Sequence, residues 1–167
     1  LLWVSPLRAL AKDIAKARTK GIAETVLDLT VGIRNVDTPR YEKEKQVKKM
    51  PDILLVTPET LHLLLAQKNH QRYFKNLKCV AVDEWHELLG SKRGVLVELG
   101  ISRLLSYQKK LKIWGITATI GNLDEALEVL IPYDLKKTKI IAKEKKKIEI
   151  LPVFPDEVEI LPWAGHL

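Results

Sequence analysis

Short continuous apolar runs alternate along the chain with stretches whose apolar residues recur every three or four positions, a rhythm that predicts strands alternating with helices. Leu1–Val4 reads as a buried strand, after which Ser5 offers an N-cap and Pro6 fits the first helical position. Leu7, Leu10, Ile14 and Ala17 then follow at helical spacing, and Gly21 closes that helix. Thr25–Val31 alternates as a strand would, and Thr38-Pro39 repeats the cap-plus-proline signal before a charged helix to about Lys49. Ile53–Val56 is a second apolar strand, and Thr57-Pro58-Glu59 opens a helix carrying Leu61, Leu64 and Leu65. Cys79–Val82 predicts a strand that stops at Asp83-Glu84. Helices are expected over about Val95–Tyr107 and Leu123–Ile131, with a strand over Lys112–Ile116 between them. Lys139–Ala142 and Ile148–Val153 read as late strands.

Near-continuous apolar strands alternating with amphipathic helices imply an α/β fold, a mostly parallel sheet flanked by helices on both faces. Four of its strands run straight into polar residues: Ser5-Pro6, Thr57-Pro58-Glu59, Asp83-Glu84 and Thr117-Ala118-Thr119. Open α/β sheets bind ligands outside the carboxyl ends of their strands. These clusters are therefore expected along one edge.

Composition narrows the classes. With 167 residues and 46% hydrophobic content, the chain can bury a core. The 29% charged residues and the short apolar runs argue against a membrane span. Cys79 is the single cysteine, so no internal disulfide forms; its apolar setting reads as core. A cytoplasmic protein fits this pattern, and no export leader is visible. The net charge of +7 and pI near 9.4 favour a polyanionic partner only weakly. Lys143, Lys145, Lys146 and Lys147 supply part of the excess, and a solvated turn is the better explanation of them.

The sharpest chemical signal is Asp83-Glu84-Trp85-His86 after an apolar strand. A carboxylate at a strand end is where a nucleotide-binding sheet places its magnesium partner, commonly through water, and an adjacent carboxylate can deprotonate an attacking water. An acidic helix cap is the plain alternative. Asp83 and His86 alone do not make a zinc site, since no His or Cys cluster completes a tetrahedron.

The motifs around this box arrive in the order found in superfamily 2 helicases. Residues 83–86 match a DExH box, Ser5-Pro6-Leu7-Arg8-Ala9-Leu10-Ala11 resembles motif Ia, Thr57-Pro58-Glu59 motif Ib, and Thr117-Ala118-Thr119 motif III. With Gly90-Ser91-Lys92-Arg93-Gly94 and the terminal Pro162-Trp163-Ala164-Gly165-His166-Leu167, the chain resembles the Lhr-type, or large helicase-related, family. Within it, Asp-Glu-Trp-His beside Glu-Leu-Leu-Gly-Ser-Lys-Arg-Gly is most similar to the bacterial ligase-associated DExH branch. The resemblance implies a RecA-like P-loop NTPase domain over residues 1–142, with 143–167 opening the connection to a second RecA-like domain. It implies ATP and Mg²⁺ as cofactors, DNA as partner through its backbone, and a link to DNA ligase or other repair proteins. Asp83 would hold Mg²⁺ through water, Glu84 would be the base, and His86 would join the ATP site to Thr117 or Thr119. Ser5, Arg8, Arg34, Thr38 and Thr57 would touch nucleic acid. Trp85 is expected to pack rather than react.

Two departures qualify the resemblance. The phosphate-binding loop Gly-x-x-x-x-Gly-Lys-Ser/Thr does not occur in these 167 residues. Both ends resemble cuts from something longer, so the chain alone is expected to be catalytically inactive, with an unpaired sheet edge. Relatives carry Thr-Gly-Asp-Thr where this chain has Asn35-Val36-Asp37-Thr38, and Val36 does not easily take a positive φ. An RNA helicase of the same superfamily and a non-catalytic nucleic-acid-binding module remain as alternative readings.

Overall fold

A computed structural model describes residues 1–6, 29–118, 120–132, 135–142 and 151. Five strands, β1 (Leu2–Val4), β2 (Val31–Arg34), β3 (Ile53–Val56), β4 (Cys79–Val82) and β5 (Lys112–Gly115), form one sheet in the order β2-β3-β1-β4-β5. All four pairings are parallel. The helices are α1 (Arg40–Lys48), α2 (Pro58–Leu65), α3 (His70–Phe74), α4 (Trp85–Leu88), α5 (Lys92–Tyr107) and α6 (Leu123–Leu130). The expected helix after Pro6 and strand after Ile148 lie outside the described residues.

Alternation along the strands divides the buried residues between the two faces. Leu2, Val4, Leu54, Val56, Val80 and Val82 share a core with Leu61 and Leu64 of α2, Trp85 and Leu88 of α4, Val97, Ile101 and Leu104 of α5, and Leu130 of α6. Trp3, Ile53, Leu55 and Ala81 form a second cluster with Leu1, Val31 and Ile33. Both faces are thus closed to water over the inner strands β3, β1 and β4, as parallel sheets favour, while Trp114 of the edge strand β5 is 59% exposed. The fit of α5 against α2 depends on Gly100, where a Cβ would lie 2.7 Å from Leu61 Cδ2.

Several local expectations are corrected. The second strand is Val31–Arg34, reaching beyond the end of the expected Thr25–Val31 stretch, of which 25–28 lie outside the described residues. Its start is set by Asp52, whose carboxylate accepts from the Thr30 amide and hydroxyl (2.9 and 2.7 Å). Gly32 then fits against Pro51, whose Cγ would stand 2.9 Å from an added Cβ. Thr38 does not cap α1, because Pro39 takes the cap position and no side-chain cap bond forms. Cys79 is half-buried at the start of β4 rather than in the core. Burial pushes its thiol pKa up. Lys139–Ala142 forms no strand, and Ile140 and Ile141 are 94% and 65% exposed with no sheet to join among the described residues. The short helix α3 carried no periodic signal strong enough to be foreseen.

The chain divides into two compact units, Leu1–Lys137 and Thr138–Leu167. The sheet and its helices belong to the first. No helix among the described residues is long and apolar enough to cross a membrane.

Candidate functional site

Parallel register sets the geometry of the site. Arg34 pairs with Val56, Val56 with Val4, Val4 with Val82, and Val82 with Gly115. The next residues of the five strands, Asn35, Thr57, Ser5, Asp83 and Ile116, therefore stand side by side at one edge of the sheet. Adjacent strands are about 4.8 Å apart, so Asp83 is roughly 5 Å from Ser5 along the edge and roughly 10 Å from Thr57. Backbone bonds stitch this rim together: Ser5 N donates to Val56 O (3.0 Å), Asp83 N to Val4 O (2.8 Å) and Trp85 N to Ile116 O (3.0 Å).

The acidic pair occupies the centre. Asp83 is 8% exposed, and each of its carboxylate oxygens accepts one bond. Trp3 Nε1 donates to Oδ2 (3.3 Å) and the Glu84 amide donates to Oδ1 (3.1 Å). Two N–H donors, one on each oxygen, fix the orientation of the carboxylate. Glu84 has φ 49° and ψ 46°, the left-handed conformation, and is the only non-glycine residue with positive φ among those described. Such a conformation costs on the order of 1–3 kcal/mol and persists only where its surroundings enforce it. Here the enforcement is visible on both sides: Asp83 is held by Trp3, and Trp85 is buried, with Nε1 donating to Ala126 O (2.9 Å). Trp85 packs, and its indole anchors the box from below.

His86 connects this centre to the end of β5. Its Nδ1 lies 3.1 Å from Thr117 Oγ1 and 3.4 Å from the Ala118 amide, which donates to it. With a neutral ring this makes Nδ1 the acceptor and puts the proton on Nε2. Nε2 in turn faces Glu84 Oε2 and Glu87 Oε1, each at 3.5 Å. The structure thus brings Asp83, Glu84, His86 and Thr117 together, while Thr119 lies outside the described residues.

The neighbouring strand ends carry the other singled-out residues. Ser5 is 1% exposed and its Oγ has no hydrogen-bond partner. Thr57 caps α2, accepting from the Thr60 amide (3.4 Å). Thr38 Oγ1 closes a turn, accepting from Asn35 N (2.9 Å) and lying 3.0 Å from Asn35 Oδ1. That turn forms without a positive φ at Val36, so the valine in place of glycine is accommodated at an exposed tip. Arg34 is buried, donates from Nη1 to Lys43 O (3.1 Å), and loses some of its proton affinity to burial. Arg8 lies outside the described residues.

Sequence reading gave no role to Trp3 and, although it placed Glu59 and Arg93 in motifs, did not pair them. Trp3 holds Asp83, and Arg93 binds Glu59 through Nε (2.6 Å) and Nη2 (3.2 Å) while Nη1 donates to Pro6 O (2.7 Å). A tryptophan inside an aliphatic strand was the available signal for the first. Nothing in the spacing pointed to the others, which are 34 and 87 positions from their partners. Among the described residues no group of three or more His, Cys, Asp or Glu side chains could cage a metal.

A parallel sheet with a carboxylate pair at the carboxyl end of an inner strand has the arrangement of the open α/β class, which binds ligands at that edge. Comparison makes the assignment specific: residues 1–126 match the DEAD/DEAH box helicase family, and the chain belongs to it. It is 33% identical over 162 residues to the ATP-dependent helicase Lhr-Core of Saccharolobus solfataricus, covering 92% of this chain and 18% of that protein. It is 35% identical over 142 residues to the Lhr helicase/uracil glycosylase of Escherichia coli, covering 78% of this chain and 9% of that protein. The Mycobacterium smegmatis helicase Lhr, solved with ssDNA and AMP-PNP, superposes with a TM-score of 0.64 at 30% identity over 76% of this chain and 18% of that one. The helicase MrfA bound to DNA gives a TM-score of 0.67 at 27% identity, over 77% of this chain and 19% of its own. The chain therefore spans less than a fifth of these relatives.

Proposed function

We propose that the chain is the ATP-hydrolysing, DNA-backbone-binding part of an ATP-dependent DNA helicase. In this reading residues 1–142 belong to the first RecA-like motor domain, and 143–167 lead toward a second. The observation that carries it is the shared rim: Asp83, Glu84, His86 and Thr117 converge beside Ser5 and Thr57 at the same end of the sheet. The relatives solved with AMP-PNP and DNA support the choice of ligands.

The residues fit magnesium triphosphate. Asp83 offers one ordered carboxylate, a hard oxygen donor of the kind that suits an ion completing its shell with water and phosphate. Magnesium held through water on Asp83 would draw charge from the phosphate oxygens. Glu84 orients the attacking water and takes its proton onto the carboxylate as the water oxygen bonds to the γ-phosphorus and the bond to the β,γ-bridging oxygen breaks, with ADP leaving on that electron pair. The Glu84 carboxylate lies beside the first turn of the following helix, with Oε2 3.5 Å from His86 Nε2. His86 lies between Glu84 and Thr117, so movement at the end of β5 is transmitted to the base. Thr57 and the first amides of α2 suit phosphate oxygens, because free N–H groups and the helix dipole face outward there. The unpartnered Ser5 hydroxyl supports an anionic neighbour, since an orphaned buried hydroxyl costs roughly 1–3 kcal/mol. Arg8, Thr38 and Thr119 complete the proposed set. Arg34, turned toward Lys43, contributes by holding the turn before α1. Such contacts are sequence-tolerant and weaken with salt. Work in DNA repair, with a ligase or other repair proteins, and a cytoplasmic location belong to the same proposal.

In the full-length helicase, Glu84→Gln is expected to lower ATP turnover by about 10²-fold or more while leaving ATP affinity nearly unchanged. Equal loss of affinity and turnover would make Glu84 structural and remove the basis of the reading.

A further inference from the structure

We propose that Arg93 is a positioning residue that fixes the spacing between the two rim segments assigned to the DNA backbone, the Ser5-Pro6 corner and the Thr57-capped start of α2. The inference rests on that assignment. Arg93 stands in the first turn of α5 and divides its guanidinium between the segments. Nη1 donates to the Pro6 carbonyl (2.7 Å), while Nε and Nη2 donate to the two oxygens of Glu59 (2.6 and 3.2 Å). A planar fork spread over a carboxylate and a carbonyl sets orientation as well as distance, which a lysine ammonium does not. Glu59 is the second residue of α2, so holding its carboxylate holds the turn whose amides face the rim.

The stretch before and after Arg93 is built to aim it. Gly90 has φ +68°, a conformation glycine adopts without strain. Ser91 caps α5, its Oγ accepting from Gly94 N (3.1 Å) and donating to Leu88 O (2.6 Å). Gly94 packs on the Leu88 carbonyl so closely that a Cβ would collide with it. Lys92, by contrast, is exposed. The Glu59 carboxyl agrees with a durable pair: burial alone would raise its pKa, but bonds from Arg93 and the Thr57 hydroxyl bring it down to about 2.

A cation on this rim has a competing job, to neutralise a phosphate itself. The two roles make opposite predictions for Glu59. Removing its charge frees a phosphate-binding arginine and tightens DNA binding, whereas it loosens a clamp and weakens binding. The test uses the full-length helicase, oligo-dT as probe, fluorescence anisotropy across a salt series, and DNA-stimulated ATP turnover. Arg93→Gln and Glu59→Gln are each expected to weaken oligo-dT binding by about five- to tenfold, the size of one positioning interaction. The slope of log affinity against log salt stays unchanged, the double variant is no worse than either single one, and Arg93→Lys does not rescue. The DNA concentration for half-maximal ATPase rises by more than kcat falls. Tighter binding by Glu59→Gln, a salt slope reduced by about one in Arg93→Gln, or additive singles would each overturn the clamp alone. Failure of the wild-type helicase to bind oligo-dT would instead overturn the DNA assignment, and the clamp with it.

Discussion

The two halves of the rim are built in different ways. Around Asp83 the groups are mostly neighbours in sequence, residues 83–86, brought into place by one strand end and one strained residue. Around Ser5 and Thr57 the order comes from bonds between distant segments, above all the Arg93 fork to Glu59 and Pro6. The first half is rigid because the chain cannot relax Glu84 without moving Asp83 or Trp85. The second is held by a half-exposed ion pair, with side chains 37% and 43% accessible. Exposed pairs contribute modestly to stability, about 0.2–1 kcal/mol. On the proposed function, chemistry is anchored in the core, while the nucleic-acid grip is adjustable.

That contrast can be broken at several points. The largest effect is expected for Trp3→Phe, which removes the indole donor to Asp83 Oδ2. A lost bond to a charged group is worth about 1.5–3 kcal/mol, so ATP turnover in the full-length helicase should fall roughly 10- to 100-fold. Unchanged turnover would show that Asp83 does not need this support. Next, Gly94→Ala should destabilise the fold by about 1–3 kcal/mol through overpacking against Leu88, read as a lower thermal midpoint. A midpoint equal to the wild type would mean that α5 shifts freely.

Thr117→Val keeps the shape and removes the hydroxyl from His86 Nδ1. It should reduce DNA stimulation of ATP turnover about two- to tenfold, with less effect on the DNA-free rate. Equal losses with and without DNA would place Thr117 in hydrolysis itself. The smallest effect concerns pH. Glu59 has a folded pKa of about 2 against an ordinary 4.5, so its contribution is fully present above pH 4.5 and drains away as pH falls through 2. The stability gap between wild type and Glu59→Gln should therefore stay constant above about pH 5 and close toward pH 2. A gap that closes between pH 6 and 7 would contradict this assignment.

The sequence was most legible where one residue type does a local job. Continuous apolar runs at Leu2–Val4, Ile53–Val56 and Cys79–Val82 read as buried strands, and their parallel pairing followed from the helices expected between them. Thr57-Pro58 marked a helix start correctly because cap and proline act within one turn. The same dipeptide signal failed at Thr38-Pro39, where the threonine hydroxyl is consumed by the turn at Asn35. The reach of strand β2 to Arg34 was not foreseen, because a two-residue period does not reveal where a strand is pinned, and the pin is Asp52. The apolar pair Ile140-Ile141 reads as strand only if a neighbouring strand exists to accept it. Arg93 was invisible as a clamp because its partners come from other elements, and a basic residue after an acidic box is as consistent with a solvated loop as with a clasp.

The most direct test of the central claim, that Asp83 faces a metal-bound triphosphate on the rim it shares with Ser5 and Thr57, is a Mn²⁺ titration. It would be followed by electron paramagnetic resonance in the full-length helicase with AMP-PNP. Asp83→Asn should weaken nucleotide-dependent Mn²⁺ binding by about tenfold or more, while Glu84→Gln leaves it near the wild-type value. Mn²⁺ binding that is the same in wild type and Asp83→Asn would show that the carboxylate at the end of β4 does not face the metal.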